Sequence, residues 1–246
     1  MIKTVEYIPS GRYNQNMTGI VDYNAGNIKS VERALDYLKV PFVLSKDPRD
    51  LEKADRLIFP GVGDAAYAMT QLKKSGFDSF LKDRASSGKD LLGICLGSQI
   101  VFDYSEEGDT KCLGLLPGVI SHFDTIWAET NPSEKEKKES DTPMLDCTLK
   151  VPHMGWNDVT YCNGSSRLMD GVPDGSDFYF VHSYVIHPDD PEIIKGYATY
   201  ETMVPAIVEK DNITVFQFHP EKSGRFGLQI LKNYVKDDMS GGNGSC

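Results

Sequence analysis

Short apolar runs alternate with segments of helical period through the first half of the chain. Thr18 to Asp22 predicts a strand, with Gly26 and Asn27 marking its end and Asn27 placed to cap the next helix. Ile28 to Leu38 carries Ile28, Val31, Leu35 and Leu38 at the spacing of one helix face. Pro41 to Leu44 and Arg56 to Phe59 predict strands, the second stopped by Pro60-Gly61-Val62-Gly63. Ala65 to Leu72 and Phe77 to Ala85 read as helices, Asp90 to Cys95 as a strand, and Gln99 to Tyr104 as the start of another helix. Strands separated by helices imply right-handed crossovers and a parallel sheet. Apolar strands between helices predict a doubly wound α/β domain.

The second half has a different pattern. Asn212 opens a turn into a last strand, Thr214 to Phe218, and before it Leu115 to Phe123, Asp146 to Val151, Phe178 to Ile186, Ile194 to Tyr200 and Val204 to Val208 predict strands without intervening helices. That is the pattern of an antiparallel or mixed extension. Phe226 to Val235 predicts a closing helix. Residues 129–142 are highly charged and have no apolar face, so they predict a solvated loop. The last seven residues are rich in Gly and Ser and predict a frayed tail.

Charge and cysteine usage narrow the setting. With 26 basic and 36 acidic residues among 246, the net charge is −10. A nucleic-acid surface needs Lys and Arg in stripes, so that class is disfavoured. Cys95, Cys112, Cys147, Cys162 and Cys246 lie far apart with no Cys-x-x-Cys pair, which disfavours a disulfide framework and a zinc site. A reducing cytoplasm fits. The longest apolar-rich stretch, Leu91 to Phe102, is well short of the roughly 20 residues of a membrane span. The first 16 residues contain no apolar h-region and predict a short leader or edge segment rather than a secretion signal.

The chemistry concentrates in a few segments. In Gly93-Ile94-Cys95-Leu96-Gly97-Ser98-Gln99 a buried strand runs into a helix. Glycines two residues either side of a nucleophile are the pattern of a nucleophile elbow, whose turn leaves no room for Cβ atoms there. A thiol at a helix N-terminus is favoured as thiolate. Such a nucleophile needs a base held by an acid. Two segments offer one: His187-Pro188-Asp189 and His219-Pro220-Glu221, each after an apolar strand with the carboxylate two residues on. Local chemistry does not choose between them. The Pro60–Gly63 turn follows a parallel strand and so belongs at the same sheet edge as Cys95, where its N–H groups could face an oxyanion.

Together the Cys95 elbow, Pro60-Gly61-Val62-Gly63 and Phe218-His219-Pro220-Glu221-Lys222-Ser223 resemble the class I glutamine amidotransferases. The resemblance implies a flavodoxin-like, mostly parallel sheet with an antiparallel extension, a domain over residues 18–237, a leader over 1–17 and a tail over 238–246. It selects His219 and Glu221 as base and orienting acid for Cys95. It implies oxyanion donors at Leu96 and the Val62-Gly63 turn, and substrate contacts at Gln99, Glu107, His182, Ser183 and Tyr184. Val21 to Asn27, Pro152-His153-Met154-Gly155-Trp156-Asn157 and Tyr179 to Tyr184 carry the resemblance to the histidine-biosynthetic branch. In that branch a glutaminase subunit hydrolyses L-glutamine and passes ammonia to a (β/α)8 cyclase subunit in a heterodimer, with no cofactor or metal. Asn24, Trp156 and Lys222 fall in motifs that the branch places at the subunit interface. Three departures stand out: Ser98 where Met is more usual, the 129–142 insertion, and the first 16 residues. They leave room for a paralogue that supplies ammonia for sugar amidation in surface-polysaccharide synthesis. A free-standing Cys-His-Glu hydrolase and a catalytically silent binding module are the rival classes.

Overall fold

In a computed structural model that describes residues 17–24, 28–130 and 150–236, the chain lays down its central strands first. Strands β1 (Thr18–Val21), β2 (Phe42–Ser45), β3 (Arg56–Gly61), β4 (Leu91–Cys95) and β13 (Ile213–Phe216) are parallel, in the order β2-β1-β3-β4-β13. Every residue of β1, β3, β4 and β13 is buried, because helices cover both faces. Strand alternation sends Ile58 to one core and Leu57 and Phe59 to the other. The first core contains Val31 and Leu35 of α1 (Ile28–Tyr37) and Ile230 and Leu231 of α6 (Gly224–Lys236). The second contains Ala68 and Leu72 of α2 (Ala65–Ser75) and Phe77 and Leu81 of α3 (Phe77–Ser86). Gly76, at φ 78°, makes the tight joint between α2 and α3.

Beyond β13 the sheet continues antiparallel through β12 (Thr202–Lys210), β11 (Ile194–Tyr200), β8 (His153–Tyr161) and β9 (Ser176–His182). A second sheet joins β10 (Tyr184–Pro188), β7 (Gly118–His122), β5 (Tyr104–Ser105) and β6 (Thr110–Lys111). The large sheet thus has four parallel pairings, extended by four antiparallel ones.

Several expectations need correction. The helix after Cys95 is one turn, α4 (Leu96–Gln99), and Tyr104 lies in a strand rather than a helix. The chain must bend there, because the backbone around Ile100 to Asp103 bonds to Cys112 to Gly114 and Gly118. The run Phe178 to Ile186 is two strands in two sheets, broken at Ser183. Leu115 to Phe123 shortens to β7, with Phe123 opening α5 (Phe123–Thr130), so the first residues of the expected 129–142 loop are helical. Strand β8 escapes the sequence pattern, since its outward face shows Met154 and Trp156 as large apolar residues. The rest of that loop, most of Asp146 to Val151, the Asn27 cap, the first 16 residues and the tail lie outside the described residues.

Candidate active site

Cys95 ends β4 and serves as N-cap of α4 with φ 54° and ψ −112°. A non-glycine residue at positive φ is strained by roughly 1–3 kcal/mol, the kind of strain that collects at functional sites. The flanking glycines explain how the turn closes. A Cβ on Gly97 would lie 2.0 Å from the carbonyl oxygen of Phe59, and one on Gly93 would lie 2.9 Å from the carbonyl oxygen of Gly97. The first residues of α4 have no preceding turn, so their N–H groups lack intrahelical acceptors and face the elbow. Gly61 sits opposite Cys95 across the β3–β4 pair, which puts the Val62-Gly63 turn beside the thiol. Gly63 has φ 100° with open space where a side chain would project.

His219 follows β13, the neighbour of β4 on the other side. Its Nδ1 lies 2.7 Å from Oε1 of Glu221, and both side chains are almost wholly buried. The backbone is held as firmly: His219 N donates to Tyr179 O at 2.9 Å, and Ser223 Oγ donates to His219 O at 2.6 Å. Burial would push the His219 ring below its usual range; the neighbouring Cys95 and Glu221 groups outweigh it and hold the ring up at about 9. The ring therefore carries its proton at neutral pH. Its Nε2 has no aligned partner among the described residues, and the thiol donates to Val181 O at 3.8 Å. A resting bond of this kind tightens only when substrate arrives. His187 lies instead in β10, opposite Val119, with its ring pushed down by burial.

A cavity of about 270 Å³ opens over Cys95, with Val62, Gly63, Leu96 and Glu107 among its walls. Gln99, His182, Ser183 and Tyr184 complete it, so the structure gathers every sequence-predicted catalytic, oxyanion and substrate residue but His219 and Glu221 around this space. Those two do not line it. Glu107 accepts from Ala65 N at 2.8 Å, at the head of α2; burial raises its carboxyl above the usual range, although that bond opposes the shift. Gln99 Nε2 is already engaged, donating to Tyr184 O at 3.0 Å and Gln217 Oε1 at 2.9 Å. It therefore holds the pocket wall.

Trp156 and Lys222 meet around one ring. Trp156 lies opposite Tyr179 in the β8–β9 pair with ring centroids 6.2 Å apart, and Lys222 Nζ sits 5.8 Å from the Tyr179 centroid. Met154 and Trp156, two apart on β8, are 61% and 58% exposed on one face of the strand. Asn24 lies at the sheet edge after β1, where Oδ1 accepts from Lys46. Val181 and Pro152 fall inside the sequence motifs without a site role read for them, and Gln217 lies outside the motifs. Val181 and Pro152 act by position in the wall and carry no chemical signature in sequence.

The class-I glutamine amidotransferase family model matches residues 19–237. The imidazole glycerol phosphate synthase subunit HisH of Nitratidesulfovibrio vulgaris is 44% identical over 218 residues, covering 89% of this chain and 95% of that protein. The HisH subunit of Geobacillus kaustophilus is 43% identical over 229 residues, covering 93% of this chain and all of that one. Among solved structures, PurLQS from Thermotoga maritima superposes with a TM-score of 0.63 at 16% identity, covering 91% of this chain and 99% of that chain, a likeness of fold.

Proposed function

The chain belongs to the class-I glutamine amidotransferases, and from that premise we propose that it is the glutaminase subunit of imidazole glycerol phosphate synthase. It is an enzyme that hydrolyses L-glutamine to glutamate and ammonia. The observation that carries this is the convergence of Cys95 with the buried His219–Glu221 pair at the ends of adjacent parallel strands, over a cavity of about 270 Å³. A cavity of that size holds a single amino acid.

The residues then divide the work. His219 holds the proton of the Cys95–His219 pair, and Sγ attacks the side-chain amide carbon of glutamine as thiolate. N–H groups of Leu96 and the Val62-Gly63 turn hold the oxyanion, each such donor contributing about 3 kcal/mol. His219, held by Glu221, gives the proton to the amide nitrogen as the C–N bond breaks, and ammonia leaves. Water then attacks the γ-glutamyl thioester, His219 takes its proton, and the C–S bond breaks to restore the pair. Glu107 and the Ser183-Tyr184 segment hold the amino-acid end of glutamine.

The partner is the cyclase subunit, a (β/α)8 barrel, in a cytoplasmic heterodimer. Trp156, Lys222 and Asn24 dock it. Ammonia passes across that face to make imidazole glycerol phosphate and the aminoimidazole carboxamide ribotide. The test is to add a histidine-pathway cyclase subunit and its ribotide substrate. Glutamine-dependent product is expected. Turnover with a sugar-amidating partner and none with the cyclase would reassign the acceptor.

A further inference from the structure

Two buried histidines take no part in the chemistry above, and their hydrogen bonds leave only one proton arrangement. His182 Nδ1 lies 2.8 Å from Tyr184 O. A carbonyl oxygen only accepts, so Nδ1 carries the proton and Nε2 of the neutral ring is an acceptor. That Nε2 lies 3.0 Å from His153 Nδ1, which must then be N–H. His153 Nε2 is left as acceptor, and Asn157 Nδ2 donates to it at 3.2 Å. The orientation of the Asn157 amide is fixed separately, because Nδ2 also donates to Thr199 O at 3.0 Å. The chain of bonds runs in one direction, from Asn157 through two Nδ1–H rings to the carbonyl of Tyr184.

The surroundings keep both rings neutral. His153 is stacked between Phe180 and Tyr200, at centroid distances of 4.7 and 4.1 Å. Phe123 packs on His182 at 5.4 Å. A second proton on His182 would set two N–H groups against each other at 3.0 Å. The receiving end is the pocket wall. Ser183 is where the chain leaves one sheet for the other, and its carbonyl accepts from Phe123 N at 3.1 Å. Tyr184 O accepts from both His182 and Gln99. With both nitrogens committed, His182 has no donor left for a ligand and acts on the pocket through Tyr184.

We propose that His153 and Asn157 are positioning residues of the glutamine pocket, fixing the tautomer of His182 and through it the Ser183-Tyr184 wall. Without the His153 donor, His182 Nε2 is free to take the proton. Nδ1 would then turn a lone pair toward Tyr184 O, and the wall would shift. The proposal rests on the glutaminase reading for the identity of the ligand, though the tautomers do not.

The experiment has two arms. In the ¹⁵N-histidine-labelled wild-type chain, ring-nitrogen shifts at pH 7 should show both His153 and His182 as neutral Nδ1–H rings. An Nε2–H tautomer on either would overturn the proposal. In the heterodimer, His153→Leu and Asn157→Leu should raise the KM for glutamine about tenfold with kcat within threefold, and ammonia-dependent synthesis should be unchanged. His153→Asn, whose amide can place an N–H near the Nδ1 position, should recover KM to within threefold of wild type. An unchanged KM in His153→Leu, or equal loss with glutamine and ammonia, would reduce His153 to a core residue and overturn the proposal. If wild type shows no glutamine-dependent turnover, the glutaminase reading fails instead, and the nitrogen shifts still decide the relay.

Discussion

The parallel and antiparallel halves of the large sheet contribute to the site in different ways. The parallel half supplies reactive atoms: the Val62-Gly63 turn after β3, Cys95 at the end of β4 and His219 after β13. Each arises where a buried strand stops, so each is tied to a local motif of glycine, proline or cysteine. The antiparallel half, together with the second sheet, supplies walls. Val181 and His182 end β9, Tyr184 begins β10, and His153 reaches them across the β8–β9 pair. Strand ends in a parallel sheet aim their loops at one edge by topology alone, whereas cross-strand neighbours meet only through register.

If the parallel half holds the chemistry, the largest effect belongs to Cys95. Cys95→Ala should remove glutamine-dependent turnover by at least about 10³-fold, the scale of losing a nucleophile whose residual rate comes from binding alone. Ammonia-dependent synthesis by the complex should persist. Steady-state assays with each nitrogen source decide it, and equal loss with both would place another role on the thiol. His219→Ala should follow closely, with a loss of about 10²–10⁴-fold for a general acid–base. His187→Ala, in β10, should stay within about tenfold. The reverse order would move the base from the end of β13 to β10 in the second sheet.

This difference also marks what was legible in the sequence. Four of the five parallel strands and the elbow could be read because their determinants lie within a few residues of one another; the parallel place of β13 beside β4 could not. Gly93 and Gly97 are needed by contacts made inside one turn and with the adjacent strand. The choice of His219 over His187 could not be read from local chemistry, since both precede Pro and an acid, and it came from family resemblance. Strand β8 was missed because His153-Met154-Gly155-Trp156 does not alternate apolar with polar: the exposed positions are large and apolar, and the buried one is a histidine. The break at Ser183 was hidden because strand-forming residues continue through it.

Stability offers a sharper test of the elbow than activity. Gly97→Ala puts a methyl 2.0 Å from the Phe59 carbonyl oxygen, and its nearest neighbours are backbone atoms of Phe59 and Pro60 rather than a flexible side chain. Overpacking of this kind costs about 1–3 kcal/mol or more. Gly63→Ala meets open space and is strained only through φ 100°, which costs on the order of 1 kcal/mol. Denaturant unfolding should rank Gly97→Ala well below Gly63→Ala. The opposite rank would show that the turn after β3, not the elbow packing, is the strained element.

The smallest expected effect separates the two halves by pH. In the antiparallel half, burial lowers His153 to about 4 and His182 to about 3, against about 6.5 in an unfolded chain. Between those values the unfolded chain binds more protons, so this pair stabilises the fold above about pH 6.5 and the contribution is lost as pH falls towards 4. At the end of the parallel half, His219 is buried, which opposes its charge, yet Cys95 and Glu221 raise it to about 9. Here the folded chain binds the extra proton. Its contribution is complete below about pH 6.5 and is lost as pH rises through about 9. One pKa unit corresponds to about 1.4 kcal/mol, so each limb should amount to at least about 1 kcal/mol. Carboxylates common to all variants add their own acid slope, so the limbs are read as differences between variants. Unfolding at pH 4.5, 6.5 and 9.5 should show His219→Ala losing the alkaline limb alone. His153→Leu should lose part of the acid limb alone. If His219→Ala instead flattens the acid limb, the charge assigned to each half is the wrong way round.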